Sequence, residues 1–326
     1  DDNIFSPSKE RLLKYDLLPK EIGWFPKKIT KDLDSIILGM HARTDNPELI
    51  KAQKLGIPIY SYPEYIYEQS KKKTRIVIGG SHGKTSITAM ILHVLKKLKI
   101  NCDYMVGAQL DGFDTMVKLT HNAEIIILEG DEYLSSPIDK RPKFHLYQPH
   151  IAVLSGIAWD HINVFPTFEM YVEQFRVFKN MVVDTFIYYS EDEELAKLAK
   201  EEVKCKLVPY LTPKHKIKKG ITSIEGTELL IFGNHNLQNL NAAKLVCNEL
   251  GISDTNFYKK ISTFKGASNR LELVKKNNIS AVYKDFAHSP SKLKASSSAM
   301  KKQFEKRKLV ACIELHTFSS LNQEFL

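Results

Sequence analysis

No stretch of this chain is apolar for anything near the roughly 20 residues that a bilayer-spanning helix requires. Its acidic start, Asp1-Asp2, lacks the features of a secretory leader. The expectation is a cytoplasmic protein without stable membrane insertion. Cysteine is scarce: Cys102, Cys205, Cys247 and Cys312 are the four, and none forms a Cys-x-x-Cys pair. That argues against a zinc site or a disulfide framework, and buried or half-buried thiols are the default. Internal repeats and low-complexity tracts are absent too, which sets solenoid and fibrous architectures aside. The net charge of +9 comes mostly from lysines spread along the chain or gathered in runs such as Lys71-Lys72-Lys73 and 214–219. Those runs have no interleaved aromatics and belong to no nucleic-acid module, so solvated loops are expected and no nucleic-acid partner is.

A chain of 326 residues exceeds the usual size of a single core. Helical and strand patterns alternate along it, which predicts an α/β fold with parallel sheet. In the first stretch a helix is expected over 8–15, a buried strand over 35–39, a helix over 47–55 and a short strand over 57–60. A second α/β unit opens near Lys71, with strands over 75–78, 124–128, 151–155 and 185–189 and helices over 84–98, 168–178 and 191–202. A lysine-rich, hairpin-like excursion spans 214–232 and leads to a helix running through Leu250. A third unit starts near Gly266, with a strand over 281–283, a helix over 291–304 and a strand over 309–313.

The most informative residues are Gly80-Ser81-His82-Gly83-Lys84-Thr85, between the apolar run Ile76-Val77-Ile78 and a helical pattern. A strand, a glycine-bearing turn and a helix in that order make a phosphate-binding loop, where backbone N–H groups and the helix N-terminus receive phosphate oxygens. Lys84 is expected to reach the terminal phosphates, as a charge on a loop rather than a packing group, and Thr85 to ligate Mg²⁺. The familiar eight-residue pattern has its first glycine five positions before Gly83; Ile78 stands there, so the loop is of a shorter form.

Two further groups are expected at the same sheet edge, because open parallel sheets place ligands at the carboxyl ends of their strands. Glu129-Gly130-Asp131-Glu132 ends the strand over 124–128, and Glu129 is read as an oxygen ligand completing the Mg²⁺ shell. Trp159-Asp160-His161 follows the strand over 151–155, and His161 is read as a metal or phosphate group. Gly233-x-His235-Asn236-x-x-Asn239-x-x-Ala242-Ala243 opens a helix with two amides three residues apart, able to donate to and accept from a base edge.

Together with residues 266–270 and Asp285-Phe286-Ala287-His288-x-Pro290, these motifs resemble the Mur ligase superfamily, in its order and over essentially the whole chain. These are bacterial ATP-dependent amide-forming enzymes of peptidoglycan assembly. The resemblance implies three domains. Residues 1–69 would be an incomplete Rossmann-like domain for the UDP substrate, 70–265 a central P-loop ATPase-like domain, and 266–326 an incomplete Rossmann-like domain for the amine. It implies ATP and one or two Mg²⁺ ions as cofactors, with Lys84, Glu129 and His161 as the catalytic set and Thr85, Glu129 and His161 as metal ligands. Gly80, His82, Gly83, Lys84 and Thr85 would hold the phosphates, Asn236 and Asn239 the adenine, Arg270 the phosphates and Asp285 the ribose. The family's UDP-binding glycine loop would then lie before Asp1, and most of the amine domain after Leu326.

Within the superfamily, Asp139-Lys140-Arg141-Pro142-Lys143-Phe144 and residues 314–322 are most similar to murein peptide ligases, which join UDP-N-acetylmuramate to L-alanyl-γ-D-glutamyl-meso-diaminopimelate in peptidoglycan recycling. Lys140 and Arg141 are the tentative contacts for that tripeptide. The alternative is the branch that adds L-alanine in de novo synthesis. Arg176 stands where later-acting members carry a carbamylated lysine, which points to the two muramate-using branches. The α/β unit before Lys71 argues against folylpolyglutamate synthase-like ligases.

Overall fold

The computed structural model describes residues 4–40, 42–136, 138–159, 163–267, 270–287 and 290–314. Contacts divide the chain into two units, residues 1–66 with 134–141, and residues 67–133 with 142–326.

In the first unit, helix α1 (Ser8–Lys14) and a 3₁₀ turn at Pro26–Lys28 precede strand β1 (Ile36–Leu38), helix α2 (Pro47–Leu55) and strand β2 (Ile59–Ser61). β1 and β2 pair in parallel, as alternation predicts. The bounds of α2 are written in its ends. Asn46 caps the start by accepting from the N–H groups of Glu48 and Leu49 at 2.8 and 3.2 Å, and Pro47 needs no partner in the first turn. Helix α3 (Tyr62–Ser70) follows β2 and was not foreseen.

The second unit is organised by a seven-stranded sheet. Its strands are β3 (Thr74–Gly79), β4 (Asp103–Met105), β5 (Val117–Lys118), β6 (Ile125–Glu129), β7 (Ile151–Leu154), β8 (Thr185–Tyr189) and β9 (Lys206–Tyr210), in the order β5-β4-β6-β3-β7-β8-β9. All pairs are parallel except β4 with β5. β3 lies in the middle, and Ile76, Val77 and Ile78 are wholly buried, which is why the strand reads as an unbroken apolar run. β9 lies at the end of the order, where Pro209, having no N–H to offer, is tolerated. From β6 on one side of β3 the chain crosses to β7 on the other. That reversal of strand order opens a crevice at the carboxyl ends of β6, β3 and β7.

Helix α4 (Lys84–Lys97) leaves the crevice and is buried along most of its length, beneath the sheet and against α8 (Asn234–Glu249) and α9 (Asp254–Ile261). On the way to α8 come α5 (Lys143–Leu146), α6 (Phe168–Asn180) and α7 (Glu193–Leu198). α7 is shorter than the expected 191–202: Asp192 sets its start by accepting from the Leu195 N–H at 2.9 Å, and it ends at Leu198. The excursion before α8 is a three-stranded antiparallel meander of β10 (Lys216–Lys218), β11 (Ile221–Ile224) and β12 (Thr227–Leu229). After α9, strands β13 (Glu272–Lys276) and β14 (Ala281–Lys284) pair with each other, and α10 (Pro290–Gln303) packs Ala299 on Phe232 and Leu271. The strand expected over 309–313 is not formed: Leu309, Val310 and Ile313 are exposed and β13–β14 is a two-stranded sheet. Cys102 and Cys247 are buried as expected and Cys205 partly so, whereas Cys312 is exposed. Among the described residues no helix is long and apolar enough to cross a membrane.

Candidate active site

The loop from β3 to α4 has a shape that only glycine permits at two places. Gly80 has φ +115°, and a Cβ there would lie 2.5 Å from the Ser155 hydroxyl and 2.8 Å from the Ser155 backbone nitrogen. Gly83 has φ +82°, and its Cβ would lie 2.3 Å from the Asn239 Oδ1. Both close approaches are structural demands, the first for seating the loop on the end of β7 and the second for bringing α8 onto it. The Ser81 N–H donates to the Gly156 carbonyl at 3.0 Å, and the Ser155 hydroxyl donates to the His82 carbonyl. No side chain caps α4. Its first N–H groups thus open on the crevice with the positive end of the helix dipole behind them, an arrangement suited to phosphate.

Two carboxylates, one from the last residue of β6 and one from the segment after it, meet this loop. Lys84 Nζ donates to Glu132 Oε2 at 2.8 Å, with the lysine side chain 17% and the glutamate 2% exposed. Burial alone works against the Lys84 ammonium, but Glu132 beside it, aided by Asp131 and Glu129, outweighs burial and holds it above the ordinary lysine value. Lys84 is therefore cationic at any working pH and is more than a free charge on a loop, since it is half of a buried pair. Thr85 Oγ1 donates to Glu129 Oε1 at 2.7 Å, and the Gly107 N–H donates to Glu129 Oε2 at 2.8 Å. Asp131 turns instead to Lys143. Burial raises its carboxyl, but the Lys143 ammonium overrides that and holds it below the usual range.

The opposite wall comes from the start of α8 and from the segments around β14 and α10, and the cavity between them measures about 510 Å³. His82, Gly83, Lys84, Thr85, Glu129, Asn236, Asn239, Arg270 and Asp285 all line it, so most of the sequence-predicted set converges on one cleft. Gly80 belongs to the loop beneath. Asn236 spends its amide nitrogen on the Phe232 carbonyl at 3.0 Å. Asp285 accepts from the Leu271 N–H at 3.2 Å and from the Ser296 hydroxyl, and Arg270 donates to the Phe286 carbonyl at 3.3 Å while lying over its ring. Burial lowers His235, with Asp285 acting weakly against it, so the imidazole is neutral at neutral pH.

His161 lies outside the described residues. Lys140 and Arg141 belong to the first unit, where Arg141 pairs with Asp139 at 2.6 Å and Glu64 at 2.8 Å. Arg176, on α6, donates to Glu201 at 3.0 Å. Sequence reasoning left Glu132 without a role and passed over Tyr171, Gln238 and Asp192. Tyr171 donates to Glu132, and Gln238 donates to the Tyr189 hydroxyl at 2.7 Å within the cleft wall. Asp192 also accepts from the Ile157 N–H at 3.0 Å, which pins the chain leaving β7. Only the acidic run around Glu132 carried a sequence signal; the others are placed by tertiary contacts.

The donor set fits the implied groups. Thr85 and Glu129 offer hard oxygens side by side, the chemistry Mg²⁺ prefers. The glycine-shaped loop, an uncapped helix start and Lys84 offer an anion cradle of the kind a nucleoside triphosphate fills.

The family model for the Mur ligase middle domain matches residues 78–247. Among curated proteins, the UDP-N-acetylmuramate–L-alanine ligase of Sulfurihydrogenibium sp. is 29% identical over 334 residues, covering 98% of this chain and 71% of its own. The protein of the same name from Caldicellulosiruptor saccharolyticus is 32% identical over 301 residues, covering 85% of this chain and 63% of its own. Of solved structures, the UDP-N-acetylmuramate:L-alanyl-γ-D-glutamyl-meso-diaminopimelate ligase of Neisseria meningitides superposes with TM-score 0.72 at 19% identity, covering 81% of this chain and 89% of that one. The UDP-N-acetylmuramate-alanine ligase of Thermotoga maritima superposes with TM-score 0.69 at 21% identity, covering 93% and 71%.

Proposed function

The chain belongs to the Mur ligase family, and on that premise we propose that it is the ATP-using part of a ligase that joins the carboxylate of UDP-N-acetylmuramate to L-alanine. The observation that carries the ATP chemistry is the pairing of Lys84 with Glu132 and of Thr85 with Glu129 at the mouth of a glycine-shaped phosphate loop. L-alanine is preferred to the tripeptide because the curated relatives that span nearly all of this chain carry that name. The motif that suggested a tripeptide is also largely engaged within the protein, Arg141 with Asp139 and Glu64, and Lys143 with Asp131.

The reaction would proceed by attack of the lactyl carboxylate on the γ-phosphorus of ATP, releasing ADP and leaving an acyl phosphate. The amine then attacks the acyl carbonyl, loses a proton, and inorganic phosphate departs. Little covalent chemistry falls to the chain, so its residues position groups and offset charge. Lys84 would exchange Glu132 for β- and γ-phosphate oxygens, and the N–H groups at the start of α4 would hold the same phosphates. Asn236, Asn239, Arg270 and Asp285 would orient the nucleotide from the facing wall. Thr85 and Glu129, with His161, would hold Mg²⁺, which supplies neutralisation of the phosphate oxygens when bound.

The discriminating measurement is phosphate release from ATP with UDP-N-acetylmuramate and each amine in turn. We expect kcat/KM for L-alanine to exceed that for the tripeptide by at least ~10-fold, roughly 1.4 kcal/mol of transition-state discrimination. The reverse preference would assign the chain to the tripeptide branch, and absence of release with both would overturn the ligase reading. The Lys140→Ala/Arg141→Ala double variant, assayed with the same two amines, tests whether that pair touches the amine.

A companion prediction concerns the metal. Glu129→Ala and Thr85→Ala are each expected to raise the Mg²⁺ concentration for half-maximal rate by about 10-fold, in the range of lost coordination partners. If the two serve one ion, the double variant is little worse than the poorer single one. Fully additive losses would show that they serve separate purposes.

A further inference from the structure

A tyrosine that no motif singles out joins two working parts of the phosphate loop. Tyr171 stands in the first turns of α6, which Thr167 starts by capping the Met170 N–H. Its side chain is wholly buried, with the ring edge-on to Phe175 at 5.0 Å between centroids and tilted on Phe165 at 5.5 Å. Phenylalanine would fill that place equally well, as it does at positions 168, 175 and 178 of the same helix. The hydroxyl is the one polar atom of the side chain, and burying it is costly unless it is hydrogen-bonded. Two of its contacts lie in the loop's machinery. It donates to Glu132 Oε1 at 3.0 Å, on the carboxylate whose other oxygen takes Lys84, and lies 3.1 Å from the Ser81 hydroxyl.

The protons can be counted. A carboxylate oxygen only accepts, so the Tyr171 proton goes to Glu132 Oε1. The Ser81 contact then needs the serine's single proton, which the Ala158 carbonyl also attracts at 2.9 Å, while Ser81 accepts from the Ala158 N–H at 2.8 Å. One chain of hydrogen bonds thus runs Lys84–Glu132–Tyr171–Ser81–Ala158, from the loop's cation to the segment that leaves β7.

We propose that Tyr171 is a positioning residue of the phosphate loop: its hydroxyl fixes the rotation of the Glu132 carboxylate, and so the place from which Lys84 works, and ties Ser81 to the same point. This deepens the ATP-site reading and rests on it. When Lys84 moves to a phosphate oxygen, Glu132 keeps Tyr171 as a partner and stays where the lysine can return to it. Without the hydroxyl, Glu132 Oε1 loses one of the bonds that orient the carboxylate, and Lys84 is less well aimed.

The test compares Tyr171→Phe, Glu132→Gln and the double variant, using calorimetric ATP affinity, KM for each substrate, kcat and melting temperature. Tyr171→Phe is expected to melt within a few degrees of wild type and to weaken ATP, as Kd and KM, by about 5- to 10-fold, the scale of one ordinary hydrogen bond. KM for the acid and the amine should stay within about twofold. In the Glu132→Gln background the same change should add less than about twofold, because the carboxylate it positions is gone. An equal loss in both backgrounds, or ATP affinity and kcat within twofold of wild type, would overturn the proposal. Should Tyr171→Phe fail to fold, Ser81→Ala breaks the chain at its next link and is expected to weaken ATP in the same direction; wild-type affinity there would also overturn it. If the wild type binds ATP yet turns over with neither amine, the ligase reading fails while the calorimetric comparison still decides the role of Tyr171.

Discussion

Lys84→Ala is expected to lower kcat/KM for ATP by at least ~100-fold, the usual scale for removing one preorganised charge from a developing oxyanion. The loss follows from the position of the lysine, at the first turn of α4 just after the two glycine-shaped approaches and lining the cleft. The structure adds a second consequence that the sequence did not foretell. Glu132 is 2% exposed and pairs with Lys84, so truncation removes a cation from a carboxylate that is out of water. Breaking a fully buried pair costs about 3–5 kcal/mol; the 17% exposure of the Lys84 side chain places this one toward the lower end. The variant should therefore melt lower as well as turn over slowly, which corrects the expectation of a lysine without a packing role. A Lys84→Ala/Glu132→Gln double variant separates the two effects. Its melting temperature should recover and its turnover should not. Retention of more than about a tenth of wild-type turnover by Lys84→Ala would end the phosphate-loop assignment, and an unchanged melting temperature would end the structural role of the pair.

Gly80→Ala carries the other large effect. The residue has φ +115°, where a side chain is strained before it meets any neighbour, at about 1–3 kcal/mol. The new Cβ would then lie 2.8 Å from the Ser155 nitrogen and 3.1 Å from the Gly156 carbonyl oxygen, both backbone atoms on the far side of the β3–β7 pair. Overpacking of that kind adds about 1–3 kcal/mol, because the strand ends must part to make room. A destabilisation of about 2–6 kcal/mol in urea titration is expected from the two terms together, with ATP binding lost beyond calorimetric detection. Gly83→Ala is the informative contrast. Its φ of +82° is also unfavourable, but the atom it strikes is the end of the Asn239 side chain, which can rotate away. Gly83→Ala should therefore be the more stable of the two, with weakened rather than abolished ATP binding. Wild-type stability in Gly80→Ala would mean that the loop does not sit on the end of β7 as described.

The loop itself was legible because its signal is local. An apolar strand buried on both faces, glycines at the turn and a lysine-threonine pair at the helix start each follow from short-range sterics and electrostatics. Asn46-Pro47 before α2 was readable for the same reason: the cap, the proline and the helix are neighbours in sequence. Strands β4, β9 and β13 were not foreseen. They are short, polar or interrupted by proline, and they exist because a neighbouring strand offers a ladder. The same physics, in reverse, accounts for 309–313: β-branched and apolar residues favour a strand, but among the described residues no edge receives it.

What the sequence by itself determined is the α/β class, the position of the glycine loop between β3 and α4 and the residue types gathered around it, since these depend on periodicity, turn chemistry and motif order along the chain. What only the tertiary structure decided is who meets whom. Glu132 and not Asp131 takes Lys84, Glu129 takes Thr85, and Tyr171 from a distant helix holds the carboxylate that holds the lysine. Arg141 and Lys143, neighbours in one motif, end in different units with different acidic partners. The reason is that strand order, unlike strand existence, is set by long-range burial: placing β3 between β6 and β7 turns residues some fifty to ninety positions apart into hydrogen-bond partners, and no local pattern encodes that choice.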